Sequence, residues 1–151
     1  MAPDRTPVPV PRGPVGLVLP NVGLDEVPRA EDLIALARDA TAAGAGAVWT
    51  VDHLFWHTPL LDALTVLGLV AGALGDDAPS LGTAVLQPLL RPTPLLAREL
   101  LSLHLATGGH RLIVGVGTGA HRRELAAMGI DDGDRPARLE TAIGDLRALW
   151  A

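Results

Sequence analysis

Several residue types are missing from this sequence of 151 residues, which contains no cysteine, no lysine and no tyrosine. Without cysteine, the chain can form neither a disulfide framework nor a thiolate metal site. All twelve basic residues are arginine, and we interpret this bias as a result of GC-rich coding and not as a functional signal. Seventeen acidic residues give a net charge of −5. Since no long basic run occurs, we expect no nucleic-acid partner.

Apolar runs long enough to cross a membrane are also missing. The best candidate, residues 60–75, includes Asp62 and is shorter than the ~20 apolar residues that a span requires. The amino-terminal segment 1–14 contains five prolines and lacks the apolar centre of a signal peptide, so we predict a disordered, proline-rich leader. We therefore expect a cytoplasmic protein without a membrane partner.

From Val15 onward, short apolar runs alternate with longer segments of helical periodicity. Continuous apolar runs of this length are typical of strands that are buried on both faces of a parallel sheet. The predicted strands are 15–19, 47–51, 81–85 and 112–116, and the predicted helices cover about 28–43, 60–74, 94–106 and 136–150. This alternation predicts an α/β fold with a parallel sheet and right-handed crossovers.

Two architectures contain such a sheet, the open doubly wound sheet and the closed barrel. The four units between residues 15 and 150 contain about 34 residues each. Eight of them would come close to the ~250 residues of a (βα)8 TIM barrel. We therefore predict that residues 15–151 form the first four βα units of such a barrel, a half-barrel with strand order 1-2-3-4. Asn21, Asp52, Gln87 and Thr118 should then meet at one end.

Polar residues that follow the predicted strands are the candidates for chemistry, because ligands of parallel α/β folds bind at the carboxyl ends of the strands. Asp52 and His53 follow the second strand, and a carboxylate beside an imidazole is typical of proton transfer. Both are candidate catalytic residues, although Asp52 could instead cap a turn and His53 could be a packing residue. Asn21 follows the first strand and either binds a ligand or forms an Asx-turn. No third ligand completes a metal site.

The fourth predicted strand runs into a glycine-rich segment, Gly115 to Ala120, that matches the pattern G-x-G-x-x-A. In dinucleotide-binding folds this pattern follows the first strand, and an acidic residue ends the next strand roughly 20 residues later. Here the pattern follows the fourth strand, and the acid at that distance, Glu140, lies in a predicted helix. Nicotinamide binding is therefore disfavoured, whereas close approach of a flat ring or a phosphate to glycine backbone remains open.

Four segments together resemble the luciferase-like flavin-dependent oxidoreductases. They are GLVLPN at 16–21, VWTVDHLF at 48–55, LGTAVLQP at 81–88 and RLIVGVGTG at 111–119. Each segment lies on its own predicted strand, and the similarity extends over residues 15–150. That superfamily includes bacterial luciferase, alkanesulfonate monooxygenases and deazaflavin-dependent dehydrogenases and reductases.

The resemblance implies that reduced FMN or a 5-deazaflavin coenzyme binds at the carboxyl ends of the barrel strands, with the deazaflavin branch slightly favoured. His53, after Asp52, matches a pocket histidine near the ring. Ala84 and Val85 match the site of a non-prolyl cis peptide against which the ring packs. The resemblance assigns backbone contacts with the cofactor to Gly117, Thr118 and Gly119, and we add Asn21 as a further candidate cofactor contact.

The sequence departs from the pattern of this family in two respects. Ala120 stands where some sugar-phosphate dehydrogenases of this branch carry a glutamate that donates a proton. Strands five to eight, which provide the main phosphate and substrate contacts in the family, are missing from this chain. We predict an oxidoreductase that acts on a small organic substrate, as a homo-oligomer or with a complementing carboxyl-terminal half-barrel. The alternative is a truncated half-barrel without catalytic activity of its own.

Overall fold

The computed structural model describes residues 15–109, 112–131 and 133–151. The predicted leader, residues 1–14, lies outside the described residues. The described chain alternates strands and α-helices in the predicted order, with one additional short α-helix after the fourth strand and 3₁₀ turns at Gly75–Asp77 and Pro88–Leu90. The elements are β1 Gly16–Val18, α1 Ala30–Ala42, β2 Ala47–Thr50, α2 Ala63–Leu74, β3 Ser80–Leu86, α3 Thr93–Ala106, β4 Leu112–Val116, α4 Arg122–Ala127 and α5 Arg135–Leu149.

The four strands form one parallel sheet in the order β1-β2-β3-β4. This order confirms the predicted half-barrel topology and excludes both hairpin pairing and a reversal in the middle of the sheet. Leu81 pairs with Leu112, and the register then shifts between Thr83 and Leu86. The Ala84–Val85 peptide within this irregularity is cis, as the resemblance implied.

One face of the sheet packs against the helices. Because side chains alternate between the two faces of a strand, Leu19, Val48 and Leu81 share this face and are almost completely buried. They pack with apolar residues of α1, α2 and α3, namely Leu33, Ala37, Val66, Leu67, Val70, Ala71 and Leu103. The continuous apolar runs of the sequence therefore correspond to strands that are covered by helices on this side.

The opposite face of the sheet carries Trp49, whose indole ring extends over neighbouring strands. A Cβ atom added to Gly16 on β1 or to Gly82 on β3 would overlap with this indole ring. These two glycines therefore provide the space in which the ring lies flat against the backbone. Val18 on this face is half exposed, since the described sheet has no second layer there.

The contact between Trp49 and Gly82 yields a stability prediction. Gly82→Ala should lower the free energy of unfolding of the intact protein by about 1–3 kcal/mol, because the added methyl group overpacks the ring. Gly144→Ala in α5 is the matched control, since an added Cβ there meets open space and alanine favours the helix by roughly 0.5–1 kcal/mol. Denaturant unfolding of both variants measures the difference. Equal stability of Gly82→Ala and the parent would contradict the proposed packing.

The helix boundaries agree with the predictions to within three residues, and local hydrogen bonds explain the differences. Helix α2 begins at Ala63 and not at residue 60, because the Asp62 side chain accepts from the Thr65 N–H at 2.8 Å and caps the helix. Helix α1 ends before Gly44, which adopts φ +94° as expected for a residue that terminates a helix. No helix of the described residues is long and apolar enough to cross a membrane.

Candidate active site at the carboxyl edge of the sheet

A cleft of about 400 Å³ lies at the carboxyl ends of β2, β3 and β4. Predicted site residues from three separate segments line it together. The lining residues are Val51, Asp52, His53, Ala84, Val85, Gln87, Thr118, Gly119 and Ala120. A second cleft of about 430 Å³ lies at the amino ends of the strands, around Gly46 and Asp77. We place the candidate site in the first cleft, because polar side chains with specific partners converge there.

Asp52 is almost completely buried and is bound to Arg91. Both Arg91 Nη atoms donate to the two carboxylate oxygens at 2.7 Å, and the backbone N–H of Gln87 donates to Oδ2 at 2.9 Å. All of these contacts hold the end of β2 against the turn after β3. The geometry therefore gives Asp52 a structural contribution and does not support the predicted catalytic one.

Arg91 also contacts Asp62, so the ion pair extends to the residue that caps the N-terminus of α2. Burial alone would lower the pKa of Arg91, but its hydrogen bonds and charge interactions with Asp52 and Asp62 outweigh this and raise the pKa. Burial would raise the pKa of Asp62, but the Thr65 hydrogen bonds and Arg91 lower it below the ordinary value. The contribution of Asp62 to stability is thus complete above pH ~4 and is lost as the pH falls through its lower folded pKa.

His53 contacts Glu124 of helix α4, a residue that was not predicted from the sequence. The His53 Nδ1 atom lies 3.0 Å from Glu124 Oε2. The other carboxylate oxygen, Oε1, accepts from the backbone N–H groups of Leu54 at 2.5 Å and Phe55 at 3.0 Å. Glu124 is fully buried and therefore joins α4 to the loop after β2. Its spacing of three residues from His121 is typical of neighbours on one helix face, but no local pattern indicates the contact with His53.

His121 lies close to the same carboxylate. Its Nδ1 atom is 3.4 Å from Glu124 Oε2, yet the contact is not aligned as a hydrogen bond and this nitrogen has no hydrogen-bond partner in the described residues. The ring of Trp56 packs against both imidazoles, with centroid distances of 4.2 Å to His53 and 4.8 Å to His121. Among the described residues, no group of carboxylates and imidazoles is arranged to hold a metal ion.

Asn21 is fully buried, and its amide group is occupied within the protein. The nitrogen donates to the carbonyl oxygens of Val51 at 2.8 Å and Leu61 at 2.9 Å, and the oxygen accepts from the Val51 N–H at 3.0 Å. Asn21 thus connects the ends of β1 and β2 to the segment before α2. The cofactor contact predicted for its side chain is not supported by this geometry.

The glycine-rich turn after β4 forms the other wall of the cleft. A Cβ atom at Gly117 would lie 2.7 Å from a methyl group of Val85, and one at Gly119 would overlap with Gln87 Oε1. Gly119 also has φ +75°, a conformation that favours glycine. Gln87 Oε1 is buried and accepts no hydrogen bond within the described residues. The turn thus brings backbone close to Val85 and leaves one unpaired acceptor near the cleft.

The family of the chain follows from a sequence profile. Residues 13–151 match the profile described as luciferase-like monooxygenase. The chain belongs to this family. The membership agrees with the resemblance seen in the strand segments and with the position of the cleft.

Curated relatives of this luciferase-like chain include proteins that are named for a deazaflavin coenzyme. This chain is 38% identical over 130 residues to the F420-dependent glucose-6-phosphate dehydrogenase of Beutenbergia cavernae, and the match covers 80% of this chain and 37% of that protein. It is 34% identical over 154 residues to the F420-dependent hydroxymycolic acid dehydrogenase of Mycobacterium tuberculosis, covering 99% of this chain and 41% of that protein. The chain therefore spans about two fifths of the length of these relatives.

Solved structures of luciferase-like proteins share the fold. The monooxygenase RslO1 from Streptomyces bottropensis superposes with a TM-score of 0.73 at 25% identity, over 90% of this chain and 42% of that one. A second match is the oxygenating constituent of 3,6-diketocamphane monooxygenase from Pseudomonas putida, solved in complex with FMN. It superposes with a TM-score of 0.75 at 16% identity, over 89% of this chain and 38% of that one. The sheet of this luciferase-like chain thus matches part of a larger barrel.

Proposed function

We propose that this chain provides the cofactor cleft of a deazaflavin-dependent oxidoreductase that acts on a small organic substrate. The observation that supports this most is the cleft itself, in which His53 faces a glycine turn that presents its backbone. The choice of a deazaflavin is supported by the two relatives that are named as F420-dependent dehydrogenases.

The residues of the cleft fit the ring of such a cofactor. Flavins and deazaflavins share a pyrimidine edge on which one N–H lies between two carbonyl groups. Gln87 Oε1 is a buried, unpaired acceptor beside the cleft, and a rotation of its amide group toward the cleft would let it accept from that N–H. Gly117 and Gly119 let the turn after β4 pack closely against Val85 and Gln87, so that this turn borders the cleft. Val85, which is 44% exposed, provides an apolar surface for the ring face. These features suit FMN and a deazaflavin equally.

The proposed reaction interconverts an alcohol and a carbonyl compound, as the names of the dehydrogenases and of a ketoreductase from a Mycobacterium species indicate for the relatives. When bound, a 5-deazaflavin supplies hydride exchange with carbon. His53 takes the proton of the substrate hydroxyl group at Nε2, and the carboxylate of Glu124 balances the resulting imidazolium. Among the described residues, Nε2 has no hydrogen-bond partner, so it is available for this step.

The sugar phosphate named in one relative is not part of the proposal. Ala120 borders the cleft at the position where the resemblance places a proton-donating glutamate in some sugar-phosphate dehydrogenases. Alanine has no proton to donate. We therefore propose a secondary alcohol or ketone as the substrate class and do not extend the proposal to sugar phosphates.

Deuterium transfer tests the proposed reaction. The intact protein is incubated with an oxidised 5-deazaflavin and alcohols that carry deuterium on the carbinol carbon. The expected result is appearance of the label in the reduced cofactor for at least one alcohol. Two results would contradict the proposal. One is reduction of the cofactor without transfer of deuterium from any of the alcohols, and the other is no reduction of the cofactor across a broad panel of alcohols.

Oxygenation with reduced FMN is the second candidate function. It is supported by the profile match to luciferase-like monooxygenases and by the superposition on a monooxygenase structure at 25% identity. In that case the protein would consume dioxygen with reduced FMN in a substrate-dependent manner. An oxygen electrode distinguishes this outcome from hydride exchange, which consumes no dioxygen.

The described sheet is open on both sides, so we propose that a further half-barrel completes it. Strands β1 and β4 each have a single neighbour among the described strands, and unpaired strand edges favour pairing with another segment. The solved structures that match this chain are more than twice as long as the matched part. A complementing half-barrel is the favoured partner, and a second copy of the chain is the alternative.

Gly119 provides a prediction about cofactor affinity. Gly119→Ala should weaken deazaflavin binding by at least about tenfold, because the new methyl group displaces the Gln87 amide and narrows the cleft. Gly129→Ala is the matched control, since Gly129 also has a positive φ but an added Cβ meets open space. Fluorescence titration of both variants gives the dissociation constants. Equal weakening in the two variants would show that backbone strain, and not the cleft, explains the effect.

A further inference from the structure

Glu124 lies beside two imidazoles, those of His53 and His121. This arrangement supports an inference that rests on the proposed function and goes beyond it. We infer that Glu124 is a positioning residue, which fixes His53 as its Nδ1–H tautomer, whereas His121 lies beside the same carboxylate oxygen without a hydrogen bond. The proton-accepting atom of His53 is then Nε2. Three observations support this, namely the burial of Glu124, the division of its two oxygens between partners, and the geometry at each imidazole.

The burial of Glu124 fixes the direction of its carboxylate. Its side chain is 0% exposed, and Oε1 accepts two backbone N–H groups from Leu54 and Phe55. Hydrogen bonds from backbone N–H groups to a carboxylate are charge-assisted and geometrically specific. Because Oε1 is occupied in this way, Oε2 is the oxygen that faces the imidazoles.

The contact of His53 with Oε2 selects its tautomer. A carboxylate oxygen only accepts, so the hydrogen of this 3.0 Å contact is on Nδ1 of His53. Gln87 Nε2 is the competing neighbour, but it lies 3.4 Å from Nδ1 and already donates to the Asp52 carbonyl oxygen. The shorter contact with Glu124 therefore decides the tautomer, and a neutral His53 presents an acceptor at Nε2.

His121 shares this carboxylate without a formed hydrogen bond. Its Nδ1 lies 3.4 Å from Oε2 and is buried without a hydrogen-bond partner among the described residues. The two imidazole centroids are 6.4 Å apart, and Trp56 packs against both rings. His121 is accordingly a second imidazole beside the oxygen that binds His53.

An isosteric substitution tests the inference without cofactor or activity. In Glu124→Gln, the amide oxygen can still accept from Leu54 and Phe55, and the amide N–H₂ then faces His53 Nδ1. Nδ1 must now accept, so His53 should change from the Nδ1–H to the Nε2–H tautomer. The readout is the ¹⁵N chemical shifts of the imidazole nitrogens in the intact ¹⁵N-labelled protein, recorded while the pH is raised until these shifts no longer change, so that the neutral rings are observed. Glu99→Gln, on α3, is the matched control and should leave the tautomer unchanged.

Each outcome of this experiment decides the inference. An Nδ1–H tautomer in the parent that changes to Nε2–H in Glu124→Gln supports it. An Nε2–H tautomer in the parent overturns it, and this measurement stands even if the variant fails to fold. An unchanged tautomer in folded Glu124→Gln overturns it as well. His121→Phe is the second variant, and a change of the His53 tautomer there would also contradict the assignment to Glu124.

A kinetic measurement separates the inference from the proposed function. If both hold, Glu124→Gln lowers turnover by on the order of 10²-fold, while cofactor affinity changes by less than about threefold. A changed tautomer together with unchanged turnover would leave the positioning of His53 supported and contradict the proposed function of this site.

Discussion

Replacement of His53 by alanine should lower the turnover of the intact protein by about 10²–10⁴-fold, the usual contribution of a positioned acid or base. His53 is the one imidazole in the lining of the cleft. Its Nδ1 is bound to Glu124, and its Nε2 has no hydrogen-bond partner among the described residues. The loss should therefore appear mainly in kcat and much less in the cofactor dissociation constant.

Steady-state kinetics and a cofactor titration on the same preparation measure this prediction. His104→Ala is the control, because His104 lies in the last turn of α3, away from the cleft, and its loss should leave kcat unchanged. An equal kcat in His53→Ala and the parent would make His53 a packing residue. A loss of cofactor affinity with unchanged kcat would assign it to binding alone.

Replacement of Arg91 by leucine should lower the free energy of unfolding by about 3–5 kcal/mol, because it leaves a buried carboxylate without its partner. The Asp52 side chain is 0% exposed, and Arg91 binds it through two hydrogen bonds. The ion pair holds the end of β2 to the turn after β3, so its loss should also disturb the cleft.

Two further variants give this prediction its controls. Arg29→Leu removes a cation from an exposed ion pair with Glu31, and its effect should lie within about 0.5 kcal/mol. The double variant Asp52→Asn/Arg91→Leu removes both charges and should recover part of the loss. Denaturant unfolding of the intact proteins provides the comparison. Equal effects of Arg91→Leu and Arg29→Leu would show that the buried pair contributes no more than an exposed one.

The sequence contained enough information for the sheet but not for all of its surroundings. Apolar runs and helical periodicity predicted the four strands and their order, because these patterns reflect burial that is repeated along each element. Helix α4 was missed, since six residues between two turns carry too short a pattern to be distinguished from a loop. Its absence from the prediction also removed Glu124 from the candidate site.

The candidate site was predicted in position but not in its contacts. Because ligands of parallel α/β folds bind at the carboxyl ends of the strands, His53, Gln87 and Thr118 were predicted to lie together, and the structure places them in one cleft. The position of a residue at the end of a strand does not show whether its polar atoms already have hydrogen-bond partners within the protein. Asn21 and Asp52 are buried by partners that lie 30 to 40 positions away in the sequence, and Glu124 is 71 positions from His53. Such contacts depend on the tertiary fold and leave no local pattern.

The most direct test of the central claim is an equilibrium titration of the intact protein with an oxidised 5-deazaflavin and, separately, with FMN. Cofactor fluorescence reports binding, and Gly119→Ala shows whether the ligand occupies the cleft. We expect saturable binding of the deazaflavin with a Kd of about 1 μM or tighter, and we expect Gly119→Ala to weaken it. Absence of saturable deazaflavin binding, or binding that Gly119→Ala leaves unchanged, would contradict a deazaflavin site in this cleft.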